Sequence, residues 1–123
     1  SWIPFIKAAI ERNPVCFIDL NGRPVKDVYD LLLALPDESI YDSGRLALPD
    51  EVWNFGRGDG IEKALLLADV IIRKDPGSEI IIEIDNDRVR MESNSEIYLF
   101  TSSKSLRKLL KIAPAGYESR ELA

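Results

Sequence analysis

Residues 45–72 read RLALPDEVWNFGRGDGIEKALLLADVII. From residue 61 to residue 72, apolar side chains occupy nearly every face of a helix, which is typical of a helix in the interior of a fold. Asp59 is suited to cap the N-terminus of this helix, and the carboxylate of Glu62 is suited to its positive end. The Asp-Pro-Gly sequence at residues 75–77 ends it. The sequence therefore predicts a buried central helix.

Two further helices are predicted before this stretch. Apolar residues recur at helical spacing over residues 2–12 and again over residues 25–35, and Pro36 ends the second helix by denying the backbone a donor. Between them, residues 15–20 form a short, strand-like apolar run. Residues 37–54 are expected to be a long connection, ordered by packing or kept for a function.

Alternation with a period of two begins at Glu79 and predicts a three-stranded antiparallel meander. The expected strands are residues 79–84, 88–92 and 96–101, joined by turns at 85–87 and 93–95. A closing helix is then predicted from Ser102 or Ser103 through Lys111. The sequence as a whole indicates an α+β fold, with a single domain over residues 1–113 and a flexible tail over residues 114–123.

Composition limits the classes of partner. The chain has 123 residues, 46% of them hydrophobic and 30% charged, and a net charge of −5. That charge opposes attraction to phosphate backbones or anionic membranes, and the apolar runs are too short to span a bilayer, so we expect neither a nucleic-acid nor a membrane partner. The single cysteine cannot form an internal disulfide, which leaves the compartment open while favouring the cytoplasm. Ser1 in place of an initiator methionine suggests a trimmed or mature fragment.

The segment RGDGIEKALLLA, residues 57–68, resembles the active-site segment of the bacterial transglutaminase-like family, within the papain-like cysteine-protease fold. The signature of that family is Gly-Asp-Cys, two or three polar residues and an apolar helix. LPDEVW, residues 48–53, is similar to the Leu-Pro-x-Glu segment that leads into the signature. The resemblance covers roughly residues 45–101. It implies that the central helix packs on the antiparallel meander.

Gly60 stands where the family has its catalytic cysteine. The family's histidine is expected around residues 94–97, where this chain has Asn94, Ser95 and Glu96, and the sequence contains no histidine at all. Acyl transfer by such enzymes needs a thiolate and an imidazole to move its proton. The resemblance therefore implies a pseudoenzyme with no catalytic residues, acting as a non-catalytic binding or structural module of a larger protein or assembly.

The residues around the glycine loop are the candidate ligand contacts. Aromatic side chains there can recognise a partner or a sugar ring, and the GxGxG loop can bind an anion through free N–H groups. Core packing and a tight entry into the helix are the alternative explanation. The candidates are Trp53, Phe55, Arg57, Gly58, Asp59, Gly60 and Glu62. The ligand is expected to be a protein partner or a small molecule or carbohydrate, and the oligomeric state is left open.

Other groups have both a functional and a structural interpretation. Cys16 is expected to be a buried, inert thiol, because no histidine can activate it. No metal site or cofactor is predicted. The acidic residues of the first hairpin are expected to form a solvated face, although oxygen ligands of this kind can hold calcium or magnesium. These residues are Glu79, Glu83, Asp85 and Asp87.

The alternative function is a carboxylate-dependent hydrolase, or a ligand-dependent enzyme, acting on a small molecule or carbohydrate. Its candidate carboxylates are Asp59, Glu62, Asp85 and Asp87. A basic face on the predicted last helix either meets an acidic partner or is simply solvated. Its members are Lys104, Arg107, Lys108 and Lys111.

Overall fold

The computed structural model describes residues 2–122, which form five helices and three strands. The helices are α1 (Ile3–Glu11), α2 (Val15–Leu20), α3 (Val25–Ala34), α4 (Pro49–Phe55) and α5 (Gly60–Lys74). The strands are β1 (Ile80–Ser93), β2 (Glu96–Ala113) and β3 (Gly116–Glu121). Within this part of the chain, no helix combines the length and the apolar character needed to cross a membrane.

The predicted central helix is confirmed as α5. Every residue of α5 from Gly60 to Ile71 is buried. The other helices and both long strands contact it, so it forms the centre of a single hydrophobic core. Asp59 caps α5 as predicted, and the first and second predicted helices are present as α1 and α3.

The three strands form one antiparallel sheet in the order β1-β2-β3, which confirms the α+β class. The inner face of β1 is buried and carries Ile80, Ile82 and Ile84 in its first half and Val89 and Met91 in its second. β1 and β2 meet at the turn Asn94-Ser95, where φ is 51° and 67°. Two consecutive left-handed residues are typical of the tight turns that join antiparallel strands.

The expected turn at residues 85–87 is wrong, because β1 runs straight through it as a single strand of 14 residues. The pairing skips instead, since Asn86 pairs with Leu106 whereas Arg88 pairs with Thr101. Asp87 of β1 is therefore opposed by four residues of β2, 102–105, which form a large bulge. Asn86 adopts a left-handed conformation with φ of 58°. The side chains that point to the core are even-numbered before Asn86 and odd-numbered after it, while the strand continues.

The closing helix predicted through Lys111 is also wrong, because these residues form the second half of β2. Leu106, Leu109 and Leu110 match a helical stripe, but Leu106, Lys108, Leu110 and Ile112 also recur with a period of two. The alternation prevails because this half of β2 is paired on both sides, with β1 and with β3, and ladder pairing overrides local propensity.

The flexible tail expected after residue 113 differs from the structure, where residues 116–121 form β3. A two-residue connection at 114–115 folds the chain back onto β2. The Tyr117 hydroxyl then donates a hydrogen bond of 2.6 Å to the Glu11 carboxylate of α1. β3 therefore joins the end of the sheet to the first helix. Residue 123 lies outside the described residues.

The strand-like run at residues 15–20 is the helix α2, with Cys16 and Leu20 on its buried face. A run of six residues is too short for periodicity to separate strand from helix. Its helical form is fixed from elsewhere in the chain, because the Asp50 carboxylate accepts hydrogen bonds from the backbone N–H groups of Val15 and Cys16 at 3.2 and 2.9 Å.

The long connection predicted at residues 37–54 contains α4, which begins at Pro49. Proline suits the first turn of a helix because its missing N–H would be unpaired there. The Glu51 side chain accepts a hydrogen bond of 2.9 Å from the Leu48 N–H, which closes the N-terminus of the helix. α4 leads directly into the glycine loop before α5.

Candidate functional site

The first residue of α5 lies against the backbone of β2. A β-carbon on Gly60 would lie 2.6 Å from the carbonyl carbon of Thr101 and 2.8 Å from its backbone nitrogen. Real β-carbons essentially never make contacts below 3.0 Å. Only glycine fits at this position, so there is no room for the thiol that the family signature places here.

Asp59 joins the start of α5 to the bulge of β2. Its carboxylate accepts hydrogen bonds from the Ile61 N–H at 3.0 Å, from the Ser102 hydroxyl at 2.8 Å and from the Ser103 N–H at 2.8 Å. The residue is 1% exposed. A carboxylate that is buried and fully occupied in this way holds structure in place, and it has no face open to a substrate.

Glu62, which is also fully buried, joins α5 to the connection before α4. One carboxylate oxygen accepts a hydrogen bond of 2.7 Å from the Asp59 N–H, which completes a capping box. The other accepts from the Ser39 hydroxyl at 2.7 Å and from the Ala47 N–H at 2.6 Å. Both oxygens are therefore taken up within the protein.

Lys63 adds a buried positive charge beside these carboxylates, with its side chain 1% exposed. Its ammonium group donates to the Leu35 carbonyl and to the Asp37 carboxylate, both at 2.7 Å. A buried ammonium group is tolerated only when it is paired and hydrogen-bonded. Glu62 and Lys63 therefore fix the connection between α3 and α4 onto the start of the central helix, while Asp59 fixes the bulge of β2 there.

The glycine loop is likewise occupied by the protein itself. Gly56 ends α4 in a left-handed conformation with φ of 67°, and the Gly58 N–H donates to the Pro36 carbonyl at 3.2 Å. The carboxylates of the capping box already accept from the N–H groups at the start of α5. They stand where an incoming anion would have to bind. Arg57 lies at the surface and pairs with Glu38 at 3.6 Å.

The two aromatic candidates do not form one surface. The Trp53 indole is half-buried and donates a hydrogen bond of 2.6 Å to the Asp19 carboxylate of α2. Phe55 lies two positions further along α4, a spacing that does not place side chains on the same face, and it is 62% exposed. Phe55 is therefore the one of the seven candidates with a large apolar side chain open to a partner.

The edge of β2 opposite β1 is closed by a further aromatic side chain. The Tyr29 hydroxyl of α3 donates to the Leu99 carbonyl and accepts from the Leu99 N–H, each at 3.0 Å. The Tyr29 ring packs edge-on against Tyr98 and Phe100, with centroids 5.1 and 5.3 Å away. Tyr29 thus satisfies the backbone groups that a neighbouring strand would otherwise pair.

Cys16 is buried, as predicted, and lies against a second buried acid. Its thiol donates a hydrogen bond of 3.2 Å to Asp69 of α5, whose other carboxylate oxygen accepts from the Arg73 guanidinium at 2.8 Å. Burial, with the adjacent carboxylate, raises the pKa of the Cys16 thiol far above its usual value. Burial also raises the pKa of Asp69 to about 6, although Arg73 and the thiol act in the opposite direction. A protonated thiol of this kind is unreactive.

The acidic residues of the expected hairpin lie along β1 and just before it. Asp85 accepts a hydrogen bond of 3.0 Å from the Arg107 guanidinium of β2. Between residues 2 and 122, no group of three or more acidic or cysteine side chains is arranged to hold a metal ion.

The basic residues predicted to share a helix face lie instead in β2 and its bulge, where they are engaged within the chain. Lys104 donates to the backbone carbonyls of residues 41 and 45, each at 2.8 Å. Lys108 and Lys111 pair with two glutamates of β3, Glu121 and Glu118. These contacts explain the basic residues without an acidic partner.

Several residues that build this region have no direct signal in the sequence. Ser39, Ser102 and Ser103 supply hydrogen bonds to the buried carboxylates, and Thr101 supplies the backbone contact with Gly60. The Asp-x-x-Glu spacing of residues 59 and 62 is the available signal that this helix start is closed by a capping box. The serines that complete it lie 23 to 44 positions away in the chain.

Comparison of the chain with models of protein families, with curated proteins and with solved structures finds no match.

Proposed function

We propose that this chain is a non-catalytic module of transglutaminase-like architecture, which binds a partner or holds an assembly together. The observation that carries the proposal is the contact between Gly60 and Thr101. In the family that residues 57–68 resemble, the nucleophile begins a buried helix that packs on an antiparallel sheet. Here the start of α5 packs against β2, and the Thr101 carbonyl lies where a side chain on residue 60 would be, which supports the proposal.

The carboxylates near this helix start support a structural role in place of an acid–base role. A general acid or base must reach a substrate proton, directly or through one water molecule. Asp59 and Glu62 are at most 1% exposed, and each of their oxygens accepts hydrogen bonds from the protein. These contacts favour the binding module over the carboxylate-dependent hydrolase.

The variant Phe55→Ala tests whether the exposed surface at the end of α4 binds a ligand. Because it is 62% exposed at the end of α4, Phe55→Ala should leave the melting temperature within about 1 °C of wild type. The probes are short peptides, sugars, nucleotides and divalent ions, screened by thermal shift. A rise in melting temperature for one class, lost in Phe55→Ala, supports a binding module that uses this surface.

The enzyme alternative is tested in parallel on the wild-type chain with peptide amides, aryl esters and aryl glycosides. Turnover proportional to protein concentration, and abolished in a folded Asp85→Asn or Asp87→Asn variant, would contradict the proposal. No turnover with any of the three classes is the expected result.

A further inference from the structure

β1 has a free edge along its whole length. It is the outermost strand in the order β1-β2-β3. Within residues 2–122, β2 is the one element whose backbone pairs with it. An unpaired edge of 14 residues presents a row of N–H and C=O groups to which another strand can add.

Contacts on β2 show which groups of β1 point to that edge. Leu99 directs both its N–H and its C=O away from β1, since both bond to Tyr29. In an antiparallel pair, residues directly opposite each other either exchange both hydrogen bonds or exchange neither. Arg90, which is opposite Leu99, must therefore direct its own N–H and C=O to the free edge.

The first half of β1 follows the same rule. The Arg107 carbonyl accepts a hydrogen bond of 3.3 Å from the Leu122 N–H on the β3 side, so Asp85, which is opposite Arg107, also directs its backbone to the free edge. The remaining edge-facing residues follow by alternation on either side of the bulge between Asn86 and Arg88. The full set is Ile81, Glu83, Asp85, Arg88, Arg90 and Glu92.

The side chains of these six residues lie on the outer face of the sheet, and their charges are arranged in two blocks. Before the bulge, Glu83 and Asp85 are acidic. After it, Arg88 and Arg90 are basic, and Glu92 at the end of the strand is acidic. Within the part of the chain that the structure describes, Asp85 pairs with Arg107 at 3.0 Å and Arg90 pairs with Glu92 at 3.8 Å, whereas Glu83 and Arg88 make no ion pair. The four central positions, Glu83, Asp85, Arg88 and Arg90, therefore carry a charge pattern complementary to its own reverse.

We propose that two copies of this chain pair through their β1 edges, antiparallel and about a two-fold axis between Asn86 and Asp87. The two sheets then form one continuous sheet of six strands. Asp85 of each copy lies opposite Arg88 of the second copy, and Glu83 lies opposite Arg90 of the second copy. The two-fold axis makes each of these charge pairs occur twice, as a closed symmetric dimer requires.

The register between the two β1 strands of the dimer is set by the face on which each side chain lies, which changes at the bulge, and by the charges that come opposite each other. A shift of one residue would place outer-face side chains opposite inner-face ones. A shift of two residues in one direction would place Glu83 opposite Glu92, and in the other direction it would leave Arg90 opposite Ile81. Among the nearby registers, the proposed one is thus the one that matches both Glu83 and Asp85 with arginines, and it places Glu92 opposite Ile81.

Backbone hydrogen bonds between the two strands and charge pairs stabilise this dimer more than the burial of apolar surface does. Ile82, Ile84, Val89 and Met91 on the inner face are already at most 1% exposed beneath α5, so pairing removes little further apolar surface from water. An interface of this kind is at the small end of the range for specific association. Sedimentation velocity should therefore be measured on the whole chain from micromolar to millimolar concentration.

The decisive experiment exchanges one charge pair. Glu83→Arg alone sets two arginines against each other across the axis, and Arg90→Glu alone sets two glutamates against each other. Each variant should raise the dimer dissociation constant by about tenfold or more. Both residues lie at the surface of a strand whose inner face is unchanged, so circular dichroism should report an intact fold.

An equimolar mixture of the two single variants should dimerise again. The arginine introduced at position 83 of one variant then faces the glutamate introduced at position 90 of the other, and the two unchanged residues at these positions also face each other. The double variant should dimerise on its own as well. The matched control is Lys26→Glu, whose side chain is 80% exposed on α3, and it should leave the dissociation constant unchanged.

Two results would overturn the proposal. One is a wild-type chain that remains monomeric at millimolar concentration. The other is a dimer whose dissociation constant is the same in wild type, Glu83→Arg and Arg90→Glu, which would locate the interface elsewhere.

Discussion

The carbonyl carbon of Thr101 lies 2.6 Å from the position that a β-carbon on Gly60 would occupy. This contact is with backbone atoms of β2, so no side-chain rotation can relieve it. The central helix and β2 can approach this closely only because residue 60 has no side chain. The glycine that stands where the resemblance places a cysteine is thus a packing requirement of this fold.

We therefore expect Gly60→Ala to lower the free energy of unfolding by about 3 kcal/mol or more, because helix α5 or strand β2 must move to make room. Urea denaturation monitored by tryptophan fluorescence measures this change. Gly44→Ala is the matched control, since a β-carbon there meets no atom within 4 Å, and its stability should be unchanged or slightly higher. Equal stability of both variants would contradict the contact.

Asp59→Ala should lower the free energy of unfolding by about 3 kcal/mol, because it leaves buried donors on Ile61, Ser102 and Ser103 without an acceptor. Asp59→Ser keeps a capping oxygen and should recover part of that loss. The measurement is thermal unfolding at pH 7, with the exposed Asp42→Ala as the control. A loss no greater than that of the control would show that Asp59 does not hold β2.

Tyr29→Phe removes the hydroxyl that serves Leu99 but keeps the aromatic ring. The free energy of unfolding should fall by about 1 to 2 kcal/mol, and the Leu99 amide should lose hydrogen-exchange protection more than other amides of β2. Tyr98→Phe is the control within the same ring cluster, because the Tyr98 hydroxyl makes no hydrogen bond within residues 2–122. Similar protection of Leu99 in both variants would contradict this role.

Tyr117→Phe should lower the free energy of unfolding by about 1 kcal/mol, since it breaks the 2.6 Å hydrogen bond to Glu11. Glu11→Gln should have a smaller or similar effect. In a double-mutant cycle, the two changes together should cost less than the sum of the single changes, because they remove one shared interaction. Strict additivity would indicate that β3 does not dock on α1 through this pair.

Asp69 makes the free energy of unfolding fall as the pH rises, which is opposite to the usual effect of a carboxyl group in a folded protein. Its pKa is raised by burial from 3.8 to about 6, so the folded protein binds this proton more tightly than the unfolded chain does. The stability that Asp69 contributes is present below about pH 4 and is lost as the pH rises through about 6. Asp69→Asn should remove this decline. Urea denaturation at pH 4, 5, 6 and 7 gives the comparison, and parallel pH profiles for wild type and variant would contradict the shift.

The central helix and the first part of the sheet are predictable because each rests on a local pattern. Residues 61–72 are apolar on nearly all faces, and β1 alternates in both of its halves. The helix start at Asp59 is predictable because a capping residue directly before an apolar run is a local signal. These features are confirmed because local preference and tertiary packing agree there.

The second half of β2 is not predictable in this way. Leu106 and Leu110 are compatible with a helix and with a strand, and the choice depends on two partner strands, one of which lies where the sequence predicts a tail. The hydrogen bonds that occupy the Asp59 carboxylate also depend on distant parts of the chain. Ser102 and Ser103 reach Asp59 only because the bulge carries them to α5, and the bulge itself depends on how β1 and β2 come into register.

The Asp50 carboxylate, which caps α2 from 34 and 35 positions away, has a consequence for the order of folding. A helix of six residues does not persist in water on its own, since nucleation costs more than so few hydrogen bonds return. We expect α2 to remain unstructured until α4 has docked and presented Asp50. In folding kinetics, substitutions within α2 should then mainly accelerate unfolding, while the rate of folding stays almost unchanged.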